Sequence, residues 1–355
     1  MNFQEKIDKL TQLISEDSDN DEAYFKRAEL YFRQKEHDKA LQDYQAAYQV
    51  NPEYGLAIIA QGYLLALKDD KAFTQALDEA LLLYPDESDA HNWVTDIQDL
   101  SQLISEGEGT TSQYNQRGIK LADLGLFWLA IEDYSKAIQI DDKYSYAYYN
   151  RGLAYNDVEE HQLAIEDFTK AIKLEPTDPW GYNDRGNSYN SLKQYDKAIA
   201  DYKQGLEQDP EIDALYNNLA DVYFTLEDFD KSVHYFNEAI KRNPGEATYL
   251  INLAEVYICM NAYDLATQMP DNQQELIGTS EYKLVAQILG LLLQTIHQQA
   301  TSELEQVLKL AQQMHIDAQW NFDNLMRWWE KNQALSEEIR GQLKTYLDMA
   351  ITLGE

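Results

Sequence analysis

Apolar residues recur along this chain in steps of three and four between short polar turns, and the whole pattern repeats every 34 residues. Gly118, Gly152, Gly186, Ala220 and Ala254 mark the step. Three residues after each stands Leu121, Tyr155, Tyr189, Tyr223 or Tyr257, and twelve after stands Ala130, Ala164, Ala198, Ser232 or Ala266. Sixteen after, the first four copies carry an aromatic: Tyr134, Phe168, Tyr202 and Phe236. A helical spacing predicts amphipathic helices. A fixed period of this length predicts stacked units, each too small to bury its own apolar face.

One copy runs from Tyr148 to Pro176, YYNRGLAYNDVEEHQLAIEDFTKAIKLEP. It resembles the tetratricopeptide repeat (TPR) family, a helix–turn–helix unit with small, aromatic, alanine, aromatic and proline positions. The resemblance implies that Gly152 lets two helices approach, that Tyr155 and Phe168 fill the gap between them, and that Ala164 and Ala171 meet neighbouring helices. Pro176 stops the second helix, because proline lacks the donor that the next turn needs. Pro52, Pro85, Pro210 and Pro244 match it, and Asp142 replaces it in one copy. The pattern covers most of residues 21–268. The fold it implies is all-α: a TPR superhelix, or α–α solenoid, with a C-terminal helical cap.

Three regions follow: an N-terminal region at 1–106, a main array at 107–270, and a capping region at 271–355. A helix near 2–16 resembles a lone second helix covering the first repeat. That repeat, at 21–54, has Tyr24, Ala28, Tyr31, Ala40, Tyr44, Ala47 and Pro52 in register. The repeat at 55–86 keeps Gly62, Ala80 and Pro85, but Phe73 and Leu77 place its frame one residue out. A long helix near 87–105 carries Trp93, Ile97, Leu100 and Ile104 and breaks the alternation of first and second helices. The segment Ser105–Ser112, SEGEGTTS, then reads as a hinge or domain boundary at 106–111, or as an inserted loop. Four regular repeats occupy 111–144, 145–178, 179–212 and 213–246, and a fifth starting at 247 fails at Pro270. Helices are expected near 281–298, 301–314, 316–333 and 336–353, the second with a capping box from Ser302 to Glu305.

Lys and Arg number 29 and Asp and Glu 62, a formal charge of −33. Such a chain repels phosphate backbones, so nucleic acid is not an expected partner. Its acidity either serves solubility or attracts a basic partner protein. The N-terminus lacks the apolar run of a signal peptide and no stretch approaches a membrane span, so a cytoplasmic protein without a membrane partner is expected. Cys259 is the lone cysteine. It reads as a small packing residue beside the alternative of a reactive thiol.

The family resemblance implies that the first helix of each repeat lines a concave surface. One column there is Gln116, Asn150, Asp184, Asn218 and Asn252, and the next is Asn115, Tyr149, Asn183, Asn217 and Ile251. A turn further lie Ile119, Leu153, Asn187, Asp221 and Glu255, with Tyr146, Trp180 and Phe224 adding apolar surface. An amide both donates and accepts, so a spaced row could hold the backbone of an extended peptide. The other reading is that Tyr-Asn-x-Arg-Gly is a mere consensus. Arg117, Arg151 and Arg185, with Arg27 as counterpart, read as structural pairs between repeats, or as contacts for an acidic ligand.

Within the family, some repeats clamp the acidic tails of heat-shock chaperones with Lys and Asn side chains. Asn150 matches that clamp, but Asn115 and Ile119 stand where Lys and Asn are expected, and Trp180 and Asp184 where Lys and Arg are expected. The clamp is therefore rejected. The segment Trp320–Trp329 holds three of the six tryptophans, and reads as the core of the cap or as a partner hot spot. His37, His91, His161, His234, His297 and His315 have no metal-ligand spacing, and no phosphate loop or nucleophile elbow is present. No catalytic residue, metal or cofactor is expected. The expected function is a non-enzymatic scaffold that binds a basic protein or peptide in its groove. The alternative is an acidic inhibitor or immunity-type protein that masks a cationic partner.

Overall fold

The structure is a computed structural model that describes residues 3–66, 71–85, 88–107 and 109–260. The expected tail helices, the Trp320–Trp329 cluster, Ala266, Pro270, His297 and His315 lie outside the described residues. The chain divides into two compact units, 1–192 and 193–355. Among the described residues fifteen helices and no strands occur.

The first unit contains α1 (Phe3–Glu16), α2 (Asp21–Arg33), α3 (His37–Val50), α4 (Gly55–Ala66), α5 (Lys71–Leu81), α6 (Asp89–Glu106), α7 (Thr111–Asp123), α8 (Phe127–Ile140), α9 (Ser145–Asp157), α10 (His161–Leu174) and α11 (Pro179–Ser191). The described part of the second contains α12 (Tyr195–Gln208), α13 (Asp213–Thr225), α14 (Phe229–Arg242) and α15 (Ala247–Cys259). Neighbours in sequence pack against each other: α2 with α3, α4 with α5, α7 with α8, α9 with α10, and α13 with α14.

Local chemistry sets the ends. The Asn20 side chain accepts from the Ala23 amide at 2.8 Å, Thr110 and Gln113 form a capping box, and Asp178 precedes Pro179 at the start of α11. Each satisfies donors that a helix start leaves free. Between paired helices the chain turns through a left-handed residue, with φ of 61° at Lys35, 80° at Gly125, 61° at Glu159 and 60° at Glu227. Only at Gly125 is that conformation free of steric cost.

The repeat positions form the core. Tyr44, Tyr134, Tyr202, Phe168 and Phe236 are fully buried. A Cβ built on Gly118 would lie 2.6 Å from the Tyr134 ring, and one on Gly152 2.8 Å from Phe168. In the degenerate second hairpin Gly62 faces Ala76 instead, and a Cβ built on it would lie 2.1 Å from the Ala76 Cβ. That tight approach is the structural counterpart of its slipped frame.

The recurring arginines brace three helices at once. Arg117 grips Asp133 through two bonds of 2.7 Å and donates to the Ser101 hydroxyl at 3.1 Å. Arg151 does the same with Asp167 and Ser135, and Arg27 with Asp43 and Thr11. Each guanidinium thus ties its own hairpin to the helix before it, which settles these three arginines as structural pairs. Thr11 on α1 and Ser101 on α6 occupy the place that Ser135 holds on α8. Both helices therefore act as lone second helices, as expected for α1. For α6 this resolves the broken alternation: α6 packs on α5 and on α7.

Candidate functional site

The small residues at Gly118 and Gly152 bring α7 and α9 close to their second helices, and α9 packs on both α7 and α11. There a pocket of about 720 Å³ opens. Asn115, Gln116, Tyr146, Tyr149, Asn150 and Trp180, all expected at the site, line it together with Ile119, Tyr144, Ile172, Glu175 and Asp178. Trp180 is 44% exposed and Tyr146 58%, so two large rings stand open at its rim. The Tyr144 and Tyr146 rings lie 5.7 Å apart. Asp178 is held by its cap on the Trp180 amide at 3.1 Å, and Glu175 hydrogen-bonds the Ser145 hydroxyl. The charged lining residues are both carboxylates.

The amide rows are bonded to themselves across repeats. Asn150 donates to Asn115 at 3.0 Å, and the Tyr149 hydroxyl donates to Asp184 at 2.6 Å. Asn183 and Asn187 also donate to Asp184, at 2.9 and 3.4 Å. Burial pushes the Asp184 carboxyl above the ordinary carboxylate range even against the three donors. Asn115 and Asn183 are buried; Asn115 lines the pocket and Asn183 does not. Asp184 and Asn187 do not line the pocket; Gln116, Tyr146 and Trp180 offer its open surface.

In the second unit Asn252 donates to Asn217 at 3.2 Å and Asn217 to Asn218 at 3.3 Å, repeating the link between Asn150 and Asn115. Asn217, Asn218, Asp221 and Asn252 are all half-buried. Phe224, expected to add apolar surface, is 4% exposed and packs on Phe229. It faces its hairpin partner, because α13 turns that side inward.

Sequence reasoning missed Tyr144, Ile172, Glu175 and Asp178. All four lie on second helices or connecting turns, whereas the amide columns run along first helices alone. The Asp178-Pro179 pair was a readable signal, since an acid before proline marks a helix start. Cys259 is buried, which raises its thiol above the ordinary range and favours packing over reactivity.

The tetratricopeptide repeat model matches residues 21–54, 145–178, 179–212 and 214–246, and a second TPR model matches 121–158. Among solved structures, PilF of Pseudomonas aeruginosa is 18% identical with a TM-score of 0.49, over 62% of this chain and 97% of its own. Yeast Tom70 is 16% identical with a TM-score of 0.49, over 99% of this chain and 92% of its own. MamA is 26% identical with a TM-score of 0.41, over 47% of this chain and 99% of its own. A search of curated protein sequences finds no match.

Proposed function

Because the chain is a tetratricopeptide repeat protein, we propose that it is a non-catalytic scaffold that captures a basic segment of another protein on the first helices of its repeats. The observation that carries this reading is the pocket between α7, α9 and α11. Exposed Tyr146 and Trp180 flank it, amides back it, and its charged lining is Glu175 and Asp178. Rings and carboxylates together suit a lysine or arginine flanked by apolar residues. An acidic tail or a nucleic-acid phosphate would meet like charge there. The mixture of amides and rings favours peptide capture over masking by charge alone. A lone cysteine can form no disulfide within the chain, which fits a cytoplasmic location.

The test is the affinity for the protein that copurifies from the native host. Trp180→Ala and Tyr146→Ala should each weaken binding about tenfold, with an unchanged melting temperature, since exposed rings contribute little to folding. Asn150→Ala with Asn218→Ala should weaken it less, because Asn150 already spends a donor on Asn115. Full affinity in the Trp180→Ala and Tyr146→Ala proteins would move the site off this pocket.

A further inference from the structure

A larger cleft of about 930 Å³ lies elsewhere in the first unit, between α1 and α2 on one side and the turns around Gly125 and Asp157–Glu160 on the other. It shares no residue with the pocket on α7, α9 and α11. Its walls mix apolar residues, Leu10, Leu13, Phe25, Tyr54, Phe127 and Trp128 among them, with nine charged ones. Leu13 is 38% exposed, an apolar side chain left open to water.

The charges around the cleft are nearly all matched. Lys6 pairs with Glu159 at 2.8 Å, Lys26 with Glu22 at 2.6 Å, and Arg33 with Glu160. Arg33 also lies over the Trp128 ring at 5.2 Å. Lys9 and Asp157 are exposed to solvent. Glu29 is different: its carboxylate makes no hydrogen bond or ion pair among the described residues, and Lys26 is the one cation whose charge reaches it. It lies beside an aromatic group in which the Phe25 ring is 5.0 Å from Tyr54 and 5.3 Å from Tyr44. After burial, the Glu29 charge is the next largest cause that raises the hydroxyls of both tyrosines. An unmatched carboxylate beside aromatic rings, in a cleft whose other charges are paired or open to water, has the elements of a cation site.

We propose that this cleft is a second binding site, which takes a basic side chain carried on an apolar stretch of a partner protein, with Glu29 as its counter-charge. The aliphatic stem lies along Leu13 and the aromatic wall, and the cationic head reaches the carboxylate. Burial pushes the free Glu29 carboxyl up to about 7, with Lys26 opposing. Pairing with a cation lowers it again, so binding at pH 7 expels protons. The titratable groups that line the cleft with Glu29 are Lys6 and Lys9 on α1, Glu22, Lys26 and Arg33 on α2, Tyr54, and Asp157, Glu159 and Glu160, and Tyr44 on α3 feels its charge.

The probe is the peptide acetyl-Ala-Leu-Lys-Leu-Ala-amide, compared by calorimetry on the full chain with the same peptide carrying norleucine in place of lysine. At pH 8 the lysine peptide should bind at least tenfold more tightly. At pH 7 its heat should vary with the buffer's ionisation enthalpy as protons leave. Glu29→Gln should abolish both effects while Trp180→Ala leaves them intact. Leu13→Arg, at an already exposed position, should block the lysine peptide by supplying the cation from within, and this arm stands even if Glu29→Gln folds poorly. Equal affinity of the two peptides, no binding of the lysine peptide, or a lysine preference that survives both Glu29→Gln and Leu13→Arg would overturn the proposal.

Discussion

At the scale of single residues, the arginine brace decides more than the surface charge does. Asp133 is 0% exposed and Arg117 nearly buried, so removing the acid leaves a guanidinium without its counter-charge in a dry core. Asp133→Ala should therefore cost about 3–5 kcal/mol in urea unfolding. Asp43→Ala should cost less, because its Arg27 partner is more open to water. Equal and small losses at the two positions would deny the brace its role. Glu29 gives a second residue-scale expectation, with its carboxyl raised by burial to about 7. The unfolded chain gives up this proton at a lower pH than the folded one, so the charge penalises folding progressively from pH 4.5 and fully above 7. Glu29→Gln should stabilise the chain at pH 8, by at most about 3 kcal/mol, and leave it unchanged at pH 4. A melting temperature raised equally at both pH values would contradict this. The brace was half legible. Asp133, Asp167 and Asp201 recur at the repeat distance, as do Ser101, Ser135 and Thr169. Pairing them with the arginines requires knowing that a hairpin folds residue i onto i+16.

At the scale of helices and turns, the period foretold nearly every element, because small residue, aromatic and proline together dictate where two helices meet and stop. The expected helices at 2–16 and 87–105 are found at Phe3–Glu16 and Asp89–Glu106. What the pattern could not supply was the role of α6, since a solitary helix carries no partner in the sequence to reveal what it packs on. The closeness of paired helices yields a contrast. Gly152→Val must displace the Phe168 ring, 2.8 Å from the first added carbon, and should cost about 1–3 kcal/mol. Gly107→Ala, with nothing within 4 Å, should be near neutral. At Gly125 the space is also open, but the φ of 80° makes Gly125→Ala cost on the order of 1 kcal/mol through the backbone alone. Urea midpoints of the three variants check the order, and a neutral Gly152→Val would undo the packing argument. The candidate site was legible to a similar depth. Gln116, Tyr146 and Trp180 follow from helical spacing, whereas Glu175 and Asp178 depend on how successive turns stack.

At the scale of the whole molecule, a charge of −33 and a pocket whose charged lining is two carboxylates both fit the basic partner proposed above. Association with a basic protein should slow steeply between low and physiological salt, as the Debye length shrinks to about 8 Å, while dissociation changes less. Stopped-flow rates across a salt series check this; a salt-independent association rate would leave the acidity to solubility. The central claim is that first helices of the repeats form the capture surface. It is tested most directly by hydrogen exchange on the full chain, with and without the protein that copurifies from its host. The account predicts that binding slows exchange in α7, α9 and α11, at Thr111–Asp123, Ser145–Asp157 and Pro179–Ser191, and spares α8. Protection confined to α8 and α10, or absent from all three first helices, would contradict it.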